Sequence, residues 1–336
     1  ICVSCRQVSR RKHFQEPVQL ETKHTLDKIN CICPMLYVAP GPDEDAASLF
    51  FELANAKTVK YKCKSGAKLH IEQDGNIKDC TGGIVWETAL LLATYLQGRG
   101  LQHLSFCSAD ADFRKEEEED GGERPGGASS ILGKKKRSGI DSEKTGNGGD
   151  TKSKKKRKCD KDVRTSVPKV LEVGAGCGLL GLVLSHLGAQ VVLTEAAEAM
   201  QILTSNVDKT QNSMNLPPAA SAQALKVDWT SEADIKSLYD TNPSLFDVIV
   251  GTDVIFNTTL VTPLLKLLHR FSHADTTVWL CMQQRCPDAH RMLIEEAPKY
   301  FELHDRSECL AAADGCSSAA ELECFLFRLT CRKDVA

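Results

Sequence analysis

The chain has 336 residues and a formal net charge of −3, from 42 basic and 45 acidic residues. That length suits one large domain with insertions or two small ones, and the balance of charge removes the global basicity of many nucleic-acid binders. Apolar residues make up 42%, enough for a sizeable core, yet no apolar run approaches the roughly 18 residues of a membrane span.

Residues 1–58 show no sustained period and are punctuated by Pro34, Pro40, Gly41 and Pro42, so an irregular arm is expected. Its opening, ICVSCRQVSRRKHF, has no continuous apolar segment of the kind a secretion signal needs. The 15 cysteines are irregularly spaced and read as reduced thiols of an intracellular protein. Cys2-x-x-Cys5 with Cys31-x-Cys33 could be imagined as a zinc site. One pair is too tight, however, and no paired histidines accompany them, so no metal is expected.

Residues 59–104 read as a short antiparallel meander followed by a helix. Val59 to Cys63 and Leu69 to Glu72 alternate around Lys64-Ser65-Gly66, and Asp74-Gly75 offers a second turn. Thr81-Gly82-Gly83-Ile84-Val85-Trp86-Glu87 then opens an apolar, buried helix from Thr88 to Leu96. On its own, Trp86 reads as a core residue. From 105 to 165 large apolar residues nearly vanish, so little burial could offset the entropy of ordering and a disordered insertion is expected. It carries the acidic block Glu116–Asp120 and two basic blocks, Lys134–Arg137 and Lys152–Lys158. The basic blocks fit nuclear import or nucleic-acid contact, and equally a solvated linker.

The remaining segment, 166–332, alternates strands with helices, which implies a parallel sheet covered on both faces. The apolar run Val170, Leu171, Val173 stops at Gly174. Three alternating glycines follow, Gly174, Gly176 and Gly178, and then apolar residues at helical spacing from Leu179 to Leu187. This is a strand, a tight glycine turn and a helix whose N-terminus offers N–H groups and partial positive charge. The second strand, Gln190 to Thr194, ends at Glu195, whose carboxylate could accept from both ribose hydroxyls of either NAD or S-adenosylmethionine (SAM). A helix from Ala196 to about Gln211 follows. The third strand, Ala222 to Val227, ends in Asp228-Trp229, and the fourth, Phe246 to Gly251, in Thr252-Asp253. A helix from Leu260 to Phe271 leads to a fifth strand, Thr277 to Met282. A helix near Ala289 to Ala297 and strands at Tyr300–His304 and Cys324–Thr330 close the chain. All four strand ends fall at one carboxyl edge. If the strand order reverses between the first and fourth strands, the crevice there sets a cofactor beside an acceptor.

Gly176 to Gly181 satisfies the dinucleotide pattern GxGxxG, a weak signal alone. Glu172 extends it to ExGxGxG, which resembles the first motif of SAM-dependent methyltransferases with a seven-stranded, Rossmann-like sheet. The stretches GGIVWE, VLEVGAGCGLLG, VVLTE, VDW and TDVIF together resemble the seven-stranded protein-lysine methyltransferases of methyltransferase family 16, whose members include the valosin-containing-protein lysine methyltransferase. The resemblance runs from Val59 to Arg332, interrupted by the insertion. It implies SAM as cofactor, with Trp86 lining the pocket and Glu172, Gly174, Gly176 and Gly178 around the methionine part. Glu195, where Asp is commoner, would hold the ribose. Asp228 and Trp229 would border the adenine, with Thr252 beside them. The family's motif after the fourth strand, Asp-x-x-Tyr or Phe, is met by Asp253 and Phe256, and Gln283-Gln284-Arg285 also matches. Asp253 would orient the acceptor amine, while Phe256 and Arg285 would face the substrate.

The expected reaction is in-line attack of a lysine nitrogen on the sulfonium methyl, helped chiefly by alignment. A protein substrate, a monomer, no membrane, and a cytoplasmic location with a nuclear fraction complete the expectation. A nucleic-acid amine methyltransferase would carry Asn/Asp-Pro-Pro-aromatic where this chain has Thr-Asp-Val-Ile-Phe. An NAD-dependent oxidoreductase has only GxGxxG in its favour, without a convincing Tyr-x-x-x-Lys. A non-catalytic binding module would not need four intact strand ends.

Overall fold

The computed structural model describes residues 53–78, 80–101, 167–213 and 216–332. The arm's cysteines Cys2, Cys5, Cys31 and Cys33, and the insertion with both lysine blocks, lie outside the described residues.

Two strands, β1 (Thr58–Lys62) and β2 (Lys68–Glu72), pair antiparallel. Alternation sends Val59, Tyr61, Leu69 and Ile71 into the core. Helix α1 (Glu87–Arg99) follows and is buried along most of its length, with Leu90, Leu91, Leu92 and Leu96 fully covered. The chain then builds β3 (Lys169–Val173), α2 (Leu179–His186), β4 (Gln190–Glu195), α3 (Met200–Ser213) and β5 (Ser221–Lys226). It continues as α4 (Glu232–Thr241), β6 (Phe246–Thr252), α5 (Thr258–Arg270), β7 (Ser272–Gln283) and α6 (Pro287–Glu296). It closes with β8 (Phe301–Asp305), two short helices, α7 (Ser307–Ala311) and α8 (Ser318–Glu321), and β9 (Cys324–Cys331).

Seven strands form one sheet in the order β5-β4-β3-β6-β7-β9-β8. Every pairing is parallel except those of β9, which runs antiparallel to β7 and β8. Side chains leave successive residues toward opposite faces. Val170, Val248 and Val250 pack with α1, α2, α3 and the hairpin, while Leu171, Val173 and Ile249 pack with α4, α5 and α6. Both faces are thus covered, as a parallel sheet requires. The order reverses between β3 and β6, the neighbours predicted to flank the crevice, so the ends of both strands open onto one place.

Three helices had no counterpart in the sequence reading. Helix α4 buries only Ile235 and Leu238, too thin an apolar stripe to announce itself; Ser231 caps it, accepting from Asp234 N at 3.3 Å. Helices α7 and α8 are five and four residues long, too short to show a period.

Candidate active site

On the β3 side the glycine turn is backbone geometry made for small residues. Gly174, Gly176 and Gly178 take φ of 63°, 55° and 86°, the left-handed region, and Gly178 is the N-cap of α2. A Cβ on Gly174 would lie 2.8 Å from Val254 Cγ1 and 3.6 Å from the Trp229 ring. One on Gly176 would lie 3.1 Å from the Gly82 carbonyl. The segment before α1 therefore lies on the turn, and Trp229 from the end of β5 faces it.

Two carboxylates brace this turn. Glu195 accepts from Gly176 N at 2.6 Å and from Ala196 N at 2.8 Å. Burial raises its pKa, and those two N–H groups pull the other way. Glu172 is 1% exposed and accepts from Gly181 N at 2.9 Å, satisfying one of the N–H groups that open α2. Burial pushes Glu172 up to about 8, opposed by that N–H and reinforced by the charge of Glu195.

On the β6 side the arrangement is ionic. Asp253 follows β6 with φ of 48°, a conformation Asp tolerates better than most residues. Its N–H donates to Cys281 O at 3.0 Å, and its Oδ1 accepts from Gln283 N at 2.8 Å. Its Oδ2 accepts from Arg285 Nη2 at 2.9 Å, and the same nitrogen reaches Glu87 Oε1 at 2.7 Å. The Asp253 and Glu87 side chains are 7% and 11% exposed, that of Arg285 26%. The guanidinium also lies 4.7 Å from the centre of the Trp86 ring, a cation–π contact. The Asp253 and Glu87 charges hold Arg285 above its usual pKa against the opposing effect of burial. Loops after β6 and β7 are thereby tied to the start of α1, whose Trp86 indole also donates to Thr81 O at 3.1 Å.

A family model described as lysine methyltransferase matches residues 63–304. The chain belongs to the lysine methyltransferase family. It is 35% identical to mouse "Protein N-lysine methyltransferase METTL21A" over 115 residues, 34% of this chain and 49% of the relative. The zebrafish (Danio rerio) protein of that name is 33% identical over 144 residues, 42% of this chain and 62% of the relative. Mouse "EEF1A lysine methyltransferase 3" is 24% identical over 136 residues, 40% of this chain and 54% of the relative. The alignments thus span about half to three fifths of the curated relatives.

A lysine methyltransferase needs a SAM cradle, and the β3 side fits one. The left-handed glycines keep side chains off the turn, and each Glu195 oxygen retains a lone pair beyond its backbone bond. Trp229 supplies an aromatic face beside Gly174. The sequence-predicted residues fall into three groups. Gly174, Gly176, Gly178, Glu195 and Trp229 gather around the turn, and Trp86, Asp253 and Arg285 gather across from it, with Thr252 half-buried at the end of β6. Phe256, beyond Asp253, is 47% exposed. The other two are engaged elsewhere. Glu172 lies beneath the turn, bound to α2, so its influence on a ligand would run through the backbone. Asp228 is exposed and folds back on its own turn, accepting from Thr230 N at 2.8 Å and Thr230 Oγ1 at 2.6 Å.

Sequence reasoning missed Glu87 and Gly82. Glu87 was visible as a lone acid in the first turn of an otherwise apolar helix. Gly82 had no signal beyond its place in GGIVWE. Among the described residues no group of three His, Cys, Asp or Glu is placed to hold a metal, and no helix is long and apolar enough to cross a membrane.

Proposed function

We propose that the chain transfers a methyl group from SAM to the ε-amine of a lysine in a protein. The observation that carries this is the Asp253–Arg285–Glu87 cluster standing across the β3/β6 switch from the glycine turn, within a family member. SAM would supply an electrophilic methyl on a sulfonium. Glu195 would hold the ribose, Trp229 would flank the adenine, and the glycine turn would carry the methionine part.

The chain's own residues must then present a neutral amine. A free lysine titrates near 10.4, so deprotonating it at neutral pH costs about 4–5 kcal/mol. An isolated carboxylate would raise that cost by stabilising the ammonium. Arg285 offsets this, because its charge already occupies Asp253 Oδ2. Asp253 then serves to orient the amine through its remaining lone pairs and to fix the loop after β7. Phe256, exposed at the edge, would hold the aliphatic stem. Orientation of this kind can supply about 7–11 kcal/mol.

We also propose that the enzyme works as a monomer, cytoplasmic with a nuclear pool; the blocks Lys134–Arg137 and Lys152–Lys158 support the latter. Imaging a fluorescent fusion with and without those blocks tests the location. Methylation is tested by incubating the protein with radiolabelled SAM and cell extract. Label that survives nuclease and is recovered as methyl-lysine after hydrolysis supports the assignment. Label removed by nuclease would identify the nucleic-acid alternative.

A further inference from the structure

The β1–β2 hairpin has two unlike faces. One is apolar and buried; on the other Lys60, Lys62, Lys68 and His70 stand exposed, with Lys64 just beyond β1 at one end and Glu72, paired with Lys209, at the other. In register Lys60 faces His70 and Lys62 faces Lys68. Like charges directly opposite one another weaken a sheet, so folding alone does not favour this pattern. Among the described residues Lys57, Lys60, Lys62 and Lys64 form no ion pair. A hollow of about 280 Å³ opens between Lys60, Tyr61, Lys68 and His70. That is below the roughly 300–1,000 Å³ of cofactor-sized sites and suits a side chain.

We propose that this strip docks an extended, acidic segment of the protein substrate that flanks the methylated lysine; the proposal rests on the protein-lysine reading. Side chains on one face of a strand recur about every 6.8 Å, the spacing of alternate residues in an extended peptide. An acidic peptide is favoured over a nucleic-acid strand because His70 is the one ring exposed on these two strands, too few to stack successive bases; Tyr61 is 1% exposed. The hairpin is also fastened to the site. The Gln73 amide donates to Leu53 O at 2.8 Å and Ala56 O at 2.6 Å, while its oxygen accepts from Val85 N at 2.6 Å. Asp74 N donates to Gly83 O at 2.8 Å. At the far end Lys64 N donates to Gln97 Oε1 of α1 at 2.9 Å. A segment bound on the strip is therefore held beside the element that carries Trp86 and Glu87.

The test is fluorescence anisotropy of the full chain with a labelled peptide of alternating Glu and Ser. The peptide should bind at low salt and weaken as salt rises. Its affinity should fall about tenfold in the double variant Lys60→Glu, Lys62→Glu. That variant places an opposite charge across from Lys68, so it should unfold no earlier than wild type, and its affinity for S-adenosylhomocysteine should be unchanged. A wild-type chain that ignores the peptide, a double variant that binds it equally well, or a single-stranded oligonucleotide that binds more tightly would each overturn the proposal. Failure of the wild-type chain to bind S-adenosylhomocysteine would instead overturn the methyltransferase reading beneath it.

Discussion

The two sides of the switch hold their carboxylates by different means. On the β3–β4 side, Glu172 and Glu195 are bound by backbone N–H groups of Gly181, Gly176 and Ala196. On the β6–β7 side, Asp253 and Glu87 share one side chain, Arg285. Backbone donors survive any change of side chain that leaves the turn intact. A shared guanidinium is lost in one substitution. The glycine-turn side should therefore fail when the chain path is altered, and the ionic side when a charge is removed.

Gly176→Val attacks the path and should have the largest effect. It forces a β-branched residue to a φ of 55° and sets its Cβ 3.1 Å from the Gly82 carbonyl. The left-handed conformation alone costs about 1–2 kcal/mol. S-adenosylhomocysteine binding should drop below calorimetric detection while the circular dichroism spectrum is retained. Affinity within threefold of wild type would show that the turn is not the cradle.

Arg285→Ala attacks the charge. It leaves two largely buried carboxylates facing each other, and stability measured by urea unfolding should fall by about 3 kcal/mol. Adding Asp253→Asn to that background should restore about 1 kcal/mol, since one of the unpaired charges is gone. S-adenosylhomocysteine affinity should move little. A stable single variant would mean that the two carboxylates do not depend on the guanidinium.

Asp253→Ala should lower methyl transfer by about 10²-fold and leave cofactor affinity within a few-fold, because orientation counts mainly in the transition state. Asp253→Asn should fall between, keeping an acceptor oxygen without the charge. If both variants methylate at the wild-type rate, Asp253 only shapes the turn.

The smallest effect sharpens the backbone-held side. The folded chain raises Glu172 from 4.5 to about 8. Between those values the folded state keeps a proton that the unfolded state has released. Wild-type stability should therefore decline as pH rises through that window and level off above it. Glu172→Gln keeps the acceptor for Gly181 N but does not titrate, so the wild type should lose stability relative to it across the window. Parallel pH profiles for the two proteins would show that Glu172 stays ionised.

The same contrast explains what could be read in advance. The turn side is contiguous: Glu172 to Glu195 carries strand, glycines, helix and acid in one stretch. Local geometry reveals such a run. The ionic side joins Glu87, Asp253 and Arg285, up to 198 positions apart. The motifs suggested where Asp253 and Arg285 belong, but not that they pair with each other, because pairing follows from how β6, β7 and α1 meet. Among the elements, β7 starts at Ser272, earlier than its apolar residues suggest, because the polar stretch Ser272–Thr276 pairs only at Phe246. Thr276 Oγ1 secures that join by donating to Phe246 O at 2.7 Å.

The antiparallel strand β9 bears on how the molecule is made. It is the last described strand to be synthesised, yet it sits between β7 and β8, and β8 pairs with no other described strand. During translation β8 must wait for a neighbour, while β7, with Val278, Leu280 and Met282 on it, has a bare edge. Most of the fold can assemble on the ribosome, but the sheet closes only when Cys324–Cys331 emerge. A nascent chain stalled before Cys324 is thus a client for chaperones, and a frameshift ahead of Cys324 would act like the loss of an internal strand.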